Sequence, residues 1–122
     1  MQTLISNYSN DATTTVADSL IFRANYQSIR VKTEEILFIQ ALADYVIIKT
    51  RDAKYITLAT MKDMTRLLEG RGFARIHRSY IVNLEYIHDI KGSIIVVDEE
   101  VSKVAIPVGR AYKKDFRQYM AA

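Results

Sequence analysis

From Leu20 onward the chain is a series of short apolar runs cut by polar clusters. The stretch "SLIFRANYQSIRVKTEEILFIQALADYVIIKTRDAKYITLA" is rich in Ile, Val, Phe and Tyr and is interrupted by NYQS, TEE, AD and RDAK. That spacing predicts strands joined by hairpin-length connections. A period of two across the next run puts Ile36, Phe38 and Gln40 on one side and Leu37, Ile39 and Ala41 on the other. Both sides are largely apolar, so this strand is expected at the centre of a sheet.

The period then changes. "TMKDMTRLLEG" places Met61, Met64, Leu67 and Leu68 on one helical face, with Thr60 as N-cap, Asp63 in the first turn and Gly70 to end the helix. The four apolar residues are core positions. "SIIVV" and "VSKVAIPV" are two further strands, joined by the acidic tip Asp98, Glu99 and Glu100. Pro107 has no N–H for a ladder and marks a strand end or edge.

The last segment, "GRAYKKDFRQYM", reads as an amphipathic helix. Tyr112, Phe116, Tyr119 and Met120 gather on one side, and Arg110, Lys113, Lys114 and Arg117 on the other. The aromatic side is expected to dock on a sheet. The basic side is solvated surface or a phosphate-contacting face; a membrane-surface helix is the third reading, disfavoured because a small domain's core needs the apolar face.

The opening "MQTLISNYSNDATTTVADS" is rich in Ser, Thr and Asn and keeps no period. Residues 1–19 are therefore expected to be a flexible linker or N-terminal arm, and residues 20–122 a single domain. All 17 Lys and Arg residues lie from Arg23 onward, together with 12 of the 14 acidic residues. A basic domain invites an anionic partner. Without cysteine there is neither a disulfide framework nor a thiolate metal site. No apolar run approaches the ~20 residues needed to span a bilayer, and the N-terminus lacks a basic-then-apolar signal. A cytoplasmic location is the expectation.

Enzyme chemistry lacks its parts. The two histidines, His77 and His88, show no metal-ligand spacing. His77, Ser79 and Asp89 can be strung together as a triad on paper. Two residues apart on a strand, however, His77 and Ser79 project side by side, and no glycine elbow surrounds the serine. Gly70, Gly72, Gly92 and Gly109 form no phosphate-cradling loop. The expectation is a binding protein with no catalytic residue, cofactor or metal.

The most specific stretch is "FARIHRSYIVNLEYI", residues 73–87, preceded by a helix ending in "LLEGRG". With "EEILFIQALADYVIIKT" upstream and "VAIPVGRAYKKDF" downstream, it resembles the LytTR family of bacterial DNA-binding domains. The resemblance covers roughly residues 20 to 119. It implies an elongated, mostly β domain of about ten short strands with two short-to-medium helices, the C-terminal one amphipathic. It also implies the effector half of a two-component response regulator, following a receiver domain. Such domains insert loops into successive major grooves across direct repeats in promoter DNA.

Carried over by position, three segments touch DNA. They are the turn at Ala43, Asp44 and Tyr45; Arg75, His77, Arg78 and Ser79; and Gly109, Arg110, Tyr112 and Lys113. The residue chemistry agrees. Arg78 can offer a bidentate fork to guanine, and His77 can donate to a phosphate or a base. Arg75, Arg110, Lys113 and Lys114 suit phosphates, with Ser79 adding a hydroxyl and Tyr45 a ring or hydroxyl. Gly109 contributes no side chain, which shifts the burden there to Arg110. Ile76, Ile81, Val82 and the ring of Tyr80 belong to the core. Glu34, Glu35, Asp98, Glu99 and Glu100 have to face away from the duplex.

Two other readings stand beside this one. A basic protein-interaction module would bind an acidic partner through the same face. A single-strand or RNA binder would need aromatics exposed on a sheet, for which Phe22, Tyr26 and Tyr55 are the candidates. With no heptad seam, the chain alone is expected to be a monomer that pairs on DNA.

Overall fold

Ile36–Leu42, the strand with two apolar faces, forms the centre of a five-stranded antiparallel sheet. The computed structural model describes residues 13–98 and 103–121, and within them lie eleven strands, two α-helices and three antiparallel sheets. The first sheet is β1 (Thr14–Val16), β2 (Ser19–Ala24) and β3 (Gln27–Lys32). The central sheet is built from β4 (Ile36–Leu42), β5 (Tyr45–Thr50), β6 (Lys54–Leu58), β7 (Phe73–His77) and β8 (Tyr80–Asn83), in the order β6-β5-β4-β8-β7. The third contains β9 (Ile87–Lys91), β10 (Ile94–Asp98) and β11 (Lys103–Pro107). Helix α1 (Met61–Leu67) joins β6 to β7, and α2 (Lys113–Ala121) follows a 3-10 turn at Arg110–Tyr112.

Each face of the central sheet carries its own core. On one side Ile36, Ile39, Val46, Ile48 and Ile81 meet Leu20, Phe22 and Val31 of the first sheet and Met61, Met64 and Leu68 of the α1 region. On the other, Leu37, Phe38, Ile76 and Val82 meet Ile95, Val97 and Ile106 of the third sheet and Phe116 of α2. Simple alternation along β4 is therefore broken. Ile36 shares a core with Ile39, and Leu37 shares one with Phe38. The cause is a β-bulge: Ile36 pairs with Thr50 and Phe38 with Lys49, leaving Leu37 as the extra residue.

The α1 cap forms as its sequence predicts. Thr60 Oγ1 accepts from the Asp63 N–H at 3.0 Å. Met61, Met64 and Leu68 are buried, and Leu67 is partly so. Pro107 ends β11, an edge strand.

Two further expectations need correction. The folded part begins before Leu20: Thr14–Val16 pairs with Ser19–Ile21, so residues 14–19 belong to a hairpin. Polar Thr-rich composition concealed an edge strand whose side chains are mostly solvated. The remainder of the proposed arm lies outside the described residues. The aromatic side of the last helix also docks only in part. Phe116 is buried, whereas Tyr119 and Met120 are exposed. Met120 lines an open groove of about 420 Å³ with Ile90, Val108 and Phe116, rimmed by Lys113 and Arg117.

The antiparallel strands of the central sheet have two ends, and the turns at each end differ in character. At one end Arg71 Nη1 donates to the Ala17 carbonyl at 2.6 Å, the Thr33 N–H donates to the Asp18 carbonyl at 2.8 Å, and the Tyr86 hydroxyl donates to the Glu34 carbonyl at 2.6 Å. Glu34 and Glu35 lie there, before the first residue of β4. At the other end are the turns β4–β5 and β7–β8.

Candidate nucleic-acid interface

The run from Phe73 to Asn83 is a hairpin whose apolar half lies inside. Ile76, Ile81 and Val82 are fully buried, and the Tyr80 ring packs edge-on to Phe38 at 6.4 Å. A second bulge shapes the outward half. Arg75 pairs with Ile81 and His77 with Tyr80, so Ile76 is the extra residue. The shift turns His77 toward Tyr80, ring centroids 5.7 Å apart, at the rim of the second core.

The tip of this hairpin is held by its own polar groups. The Ser79 N–H donates to His77 Nδ1 at 3.1 Å, which makes Nδ1 an acceptor and leaves Nε2 to face outward partners. Arg75 Nη2 donates to the Arg78 carbonyl at 2.7 Å, and its guanidinium lies 5.7 Å from the centroid of the Tyr112 ring. Arg75 Nε is buried without a hydrogen-bond partner. Arg75 is thus engaged within the protein. The Arg78 side chain is exposed and has no ion pair or hydrogen bond among the described residues.

Backbone bonds tie the other two segments to this tip. The Ala41 N–H donates to the Ser79 carbonyl at 2.9 Å, beside the turn at Ala43 and Asp44. The Gly109 N–H donates to the Ile76 carbonyl at 2.7 Å. A Cβ at Gly109 would meet Tyr112 Cδ2 at 3.2 Å and His77 Cδ2 at 3.5 Å. Glycine is needed here for space, since its φ of −67° is ordinary.

All three segments expected from the sequence therefore meet at one end of the molecule. Asp44, Arg78, Arg110 and Lys114 are exposed, while Ser79, Tyr112 and Lys113 are half-buried. Tyr45 is exposed as the first residue of β5, opposite Leu58 of the edge strand β6. Ala43 adopts a left-handed φ of 52° that lets the two-residue turn close. The acidic Glu34 and Glu35 lie at the far end; the tip at Glu99 and Glu100 lies outside the described residues, as does the side chain of Asp98.

Other chemistry is not assembled. Ser79 meets His77 through its backbone, and Asp89 Oδ1 accepts from the Ile90 N–H at 2.8 Å in a different sheet. No group of three or more His, Asp or Glu side chains among the described residues could hold a metal ion. No helix among them is long and apolar enough to cross a membrane. Of the three aromatics that a single-strand platform would need, Phe22 is buried with Tyr55 packed edge-on at 5.4 Å, and Tyr26 alone is exposed.

Known proteins are similar to this chain in sequence and in fold. The family profile of the LytTr DNA-binding domain matches residues 26–121. The sensory transduction protein LytT of Bacillus subtilis is 31% identical over 94 residues, covering 74% of this chain and 38% of LytT. The heme-containing CO-sensing transcriptional regulator RcoM 1 of Paraburkholderia xenovorans is 25% identical, over 82% of this chain and 38% of that protein. The chain thus spans less than two-fifths of these relatives. A solved LytTr DNA-binding domain from Bacillus cereus superposes with a TM-score of 0.73 at 19% identity, over 88% of this chain and 100% of that one. Hairpin, final turn and three-sheet architecture together with the profile match lead to one conclusion: the chain belongs to the LytTR family of DNA-binding domains.

Proposed function

We propose that this domain binds double-stranded DNA sequence-specifically as the effector part of a transcription regulator. In this reading the 43–45 turn, the 77–79 tip and the 109–114 segment enter successive major grooves across direct repeats. The reading rests above all on the joining of these segments into one unit, through Ala41 to Ser79, Gly109 to Ile76 and Arg75 to the Tyr112 ring.

Roles follow from what each side chain is free to do. Arg78, unpaired and exposed, reads a guanine edge with its fork. His77 presents its Nε2–H to a phosphate or base acceptor. Arg110, Lys113 and Lys114 neutralise phosphates, and Ser79, Tyr45 and Tyr112 add polar contacts. Asp44 accepts from a cytosine amino group or orients its neighbour. The relatives are longer and carry sensory names, so a receiver or other sensory domain in the same polypeptide completes the proposal. The domain alone is a monomer that pairs on DNA, in the cytoplasm of a bacterium.

The test is an unbiased selection of bound duplexes from a random library at two salt concentrations. A short motif repeated at helical-turn spacing is the expected product. With ~6–10 phosphates neutralised, affinity falls by ~10³–10⁵ between 50 and 200 mM salt. No enriched motif, with binding lost at moderate salt, would leave only a generic basic face.

A further inference from the structure

Tyr26 is 97% exposed and sits in left-handed backbone, φ 65°, directly after Asn25 at φ 53°. The two residues form the tip between Ala24 and Gln27, the last pair of β2 and β3. A two-residue turn with both φ values positive is the kind that Asn-Gly fills without strain. Asparagine tolerates the first position, but a bulky aromatic at the second is an outlier. The Tyr26 side chain makes no hydrogen bond or ring contact among the described residues. The fold gains nothing from this ring and carries its backbone strain, which points to a role outside the domain.

The tip lies away from the end that carries Glu34 and Glu35. β2 starts beside Arg71, through the Ala17 carbonyl, and Arg30 and Val31 line a shared hollow with Thr50, Arg51 and Asp52. All of these mark the end opposite the 43–45 turn. Phe22 then meets Tyr55, one residue into β6, and β6 runs on to Leu58 opposite Tyr45. The β2–β3 hairpin thus runs away from the end that carries Glu34 and Glu35.

Its outer side is basic. Leu20, Phe22, Ala24, Ile29 and Val31 face the core, so Arg23, Ser28, Arg30 and Lys32 share the opposite side. Asp18 and Glu35 stand beside Arg30 and Lys32 at the far end. Arg23, nearest the tip, has no ion pair among the described residues.

We propose that the β2–β3 tip is a further contact to duplex DNA, with the Tyr26 hydroxyl donating to a phosphate oxygen and Arg23 supplying positive charge behind it. This contact deepens the DNA-binding reading above and rests on it. It positions the domain on the sugar–phosphate backbone and reads no base.

The experiment uses the full chain with a selected duplex and a random-sequence duplex. Tyr26→Gly, which relieves the backbone, should melt about 4 °C higher. It should also bind both duplexes about tenfold more weakly, the loss of one hydrogen bond to a charged group. Tyr26→Phe, which alters only the hydroxyl, should lose a similar factor with unchanged melting. Arg23→Ala should reduce the slope of log affinity against log salt by about one. A tight wild-type complex that is indifferent to both Tyr26 variants overturns the hairpin contact alone. A wild-type chain that binds neither duplex overturns the DNA reading with it.

Discussion

Arg75 Nη2 donates to the carbonyl oxygen of Arg78 at 2.7 Å, so a side chain near the end of one strand holds the turn that leads into the next. The same guanidinium rests against the Tyr112 ring of the final 3-10 turn. One residue thereby joins two of the segments that the DNA reading brings to the duplex, while the Arg78 side chain stays exposed.

Arg75 should therefore act as a brace. Arg75→Ala is expected to weaken binding to the selected duplex about tenfold while leaving the salt dependence unchanged. Arg75→Lys should not restore it, since an ammonium lacks the planar fork that meets the Arg78 carbonyl and the Tyr112 ring together. A salt slope reduced by about one in Arg75→Ala would instead make Arg75 a phosphate contact.

Arg78 and Lys113 should separate base reading from phosphate contact. Arg78→Ala is expected to lose about 1–3 kcal/mol on the selected site and far less on random DNA. Lys113→Ala should weaken both duplexes alike. Competition binding with the two duplexes decides the matter, and equal losses for both variants would remove Arg78 from the base-reading role.

Gly109 is a packing constraint at the centre of the site. Gly109→Val forces carbon atoms against Tyr112 and His77 and should destabilise the domain by about 1–3 kcal/mol. Binding should fall further than stability explains, because His77 and Tyr112 are displaced. Thermal melting and duplex affinity measured together test this, and a variant normal in both would show that the neighbours yield freely.

Asn83 closes the "RIHRSYIVN" stretch but belongs to the fold. It is buried; its Nδ2 donates to the Ile36 carbonyl at 2.9 Å, and its Oδ1 accepts from the Glu85 N–H at 3.0 Å. Asn83→Ala should lower stability in urea denaturation by about 1–3 kcal/mol, the penalty for buried groups left unpaired. The folded fraction should bind DNA as the parent does; selective loss of binding at full stability would move Asn83 to the interface.

Much of this organisation was legible along the chain. Two apolar faces required β4 to be central, because neither could be left to water. The Thr60 cap and the Met61, Met64 and Leu68 stripe defined α1 through contacts within a few residues. The division of residues 75–83 into buried Ile76, Ile81 and Val82 and an outward Arg78 also followed from residue type and period.

Tertiary structure decided the rest. A bulge adds one residue to a strand without a local signature, so the parity of Ile36 and the direction of His77 depended on which partners Thr50 and Tyr80 became. Tyr119 and Met120 were patterned to dock, yet stay exposed while Phe116 and Tyr112 find neighbours, because helical spacing reports that a face is apolar and not what stands opposite. Gly109 and Arg75 acquired their roles from residues far along the chain or across a turn. Local propensity and period are properties of a few consecutive residues; the space beside Gly109 and the partners of Arg75 exist only once three sheets have packed.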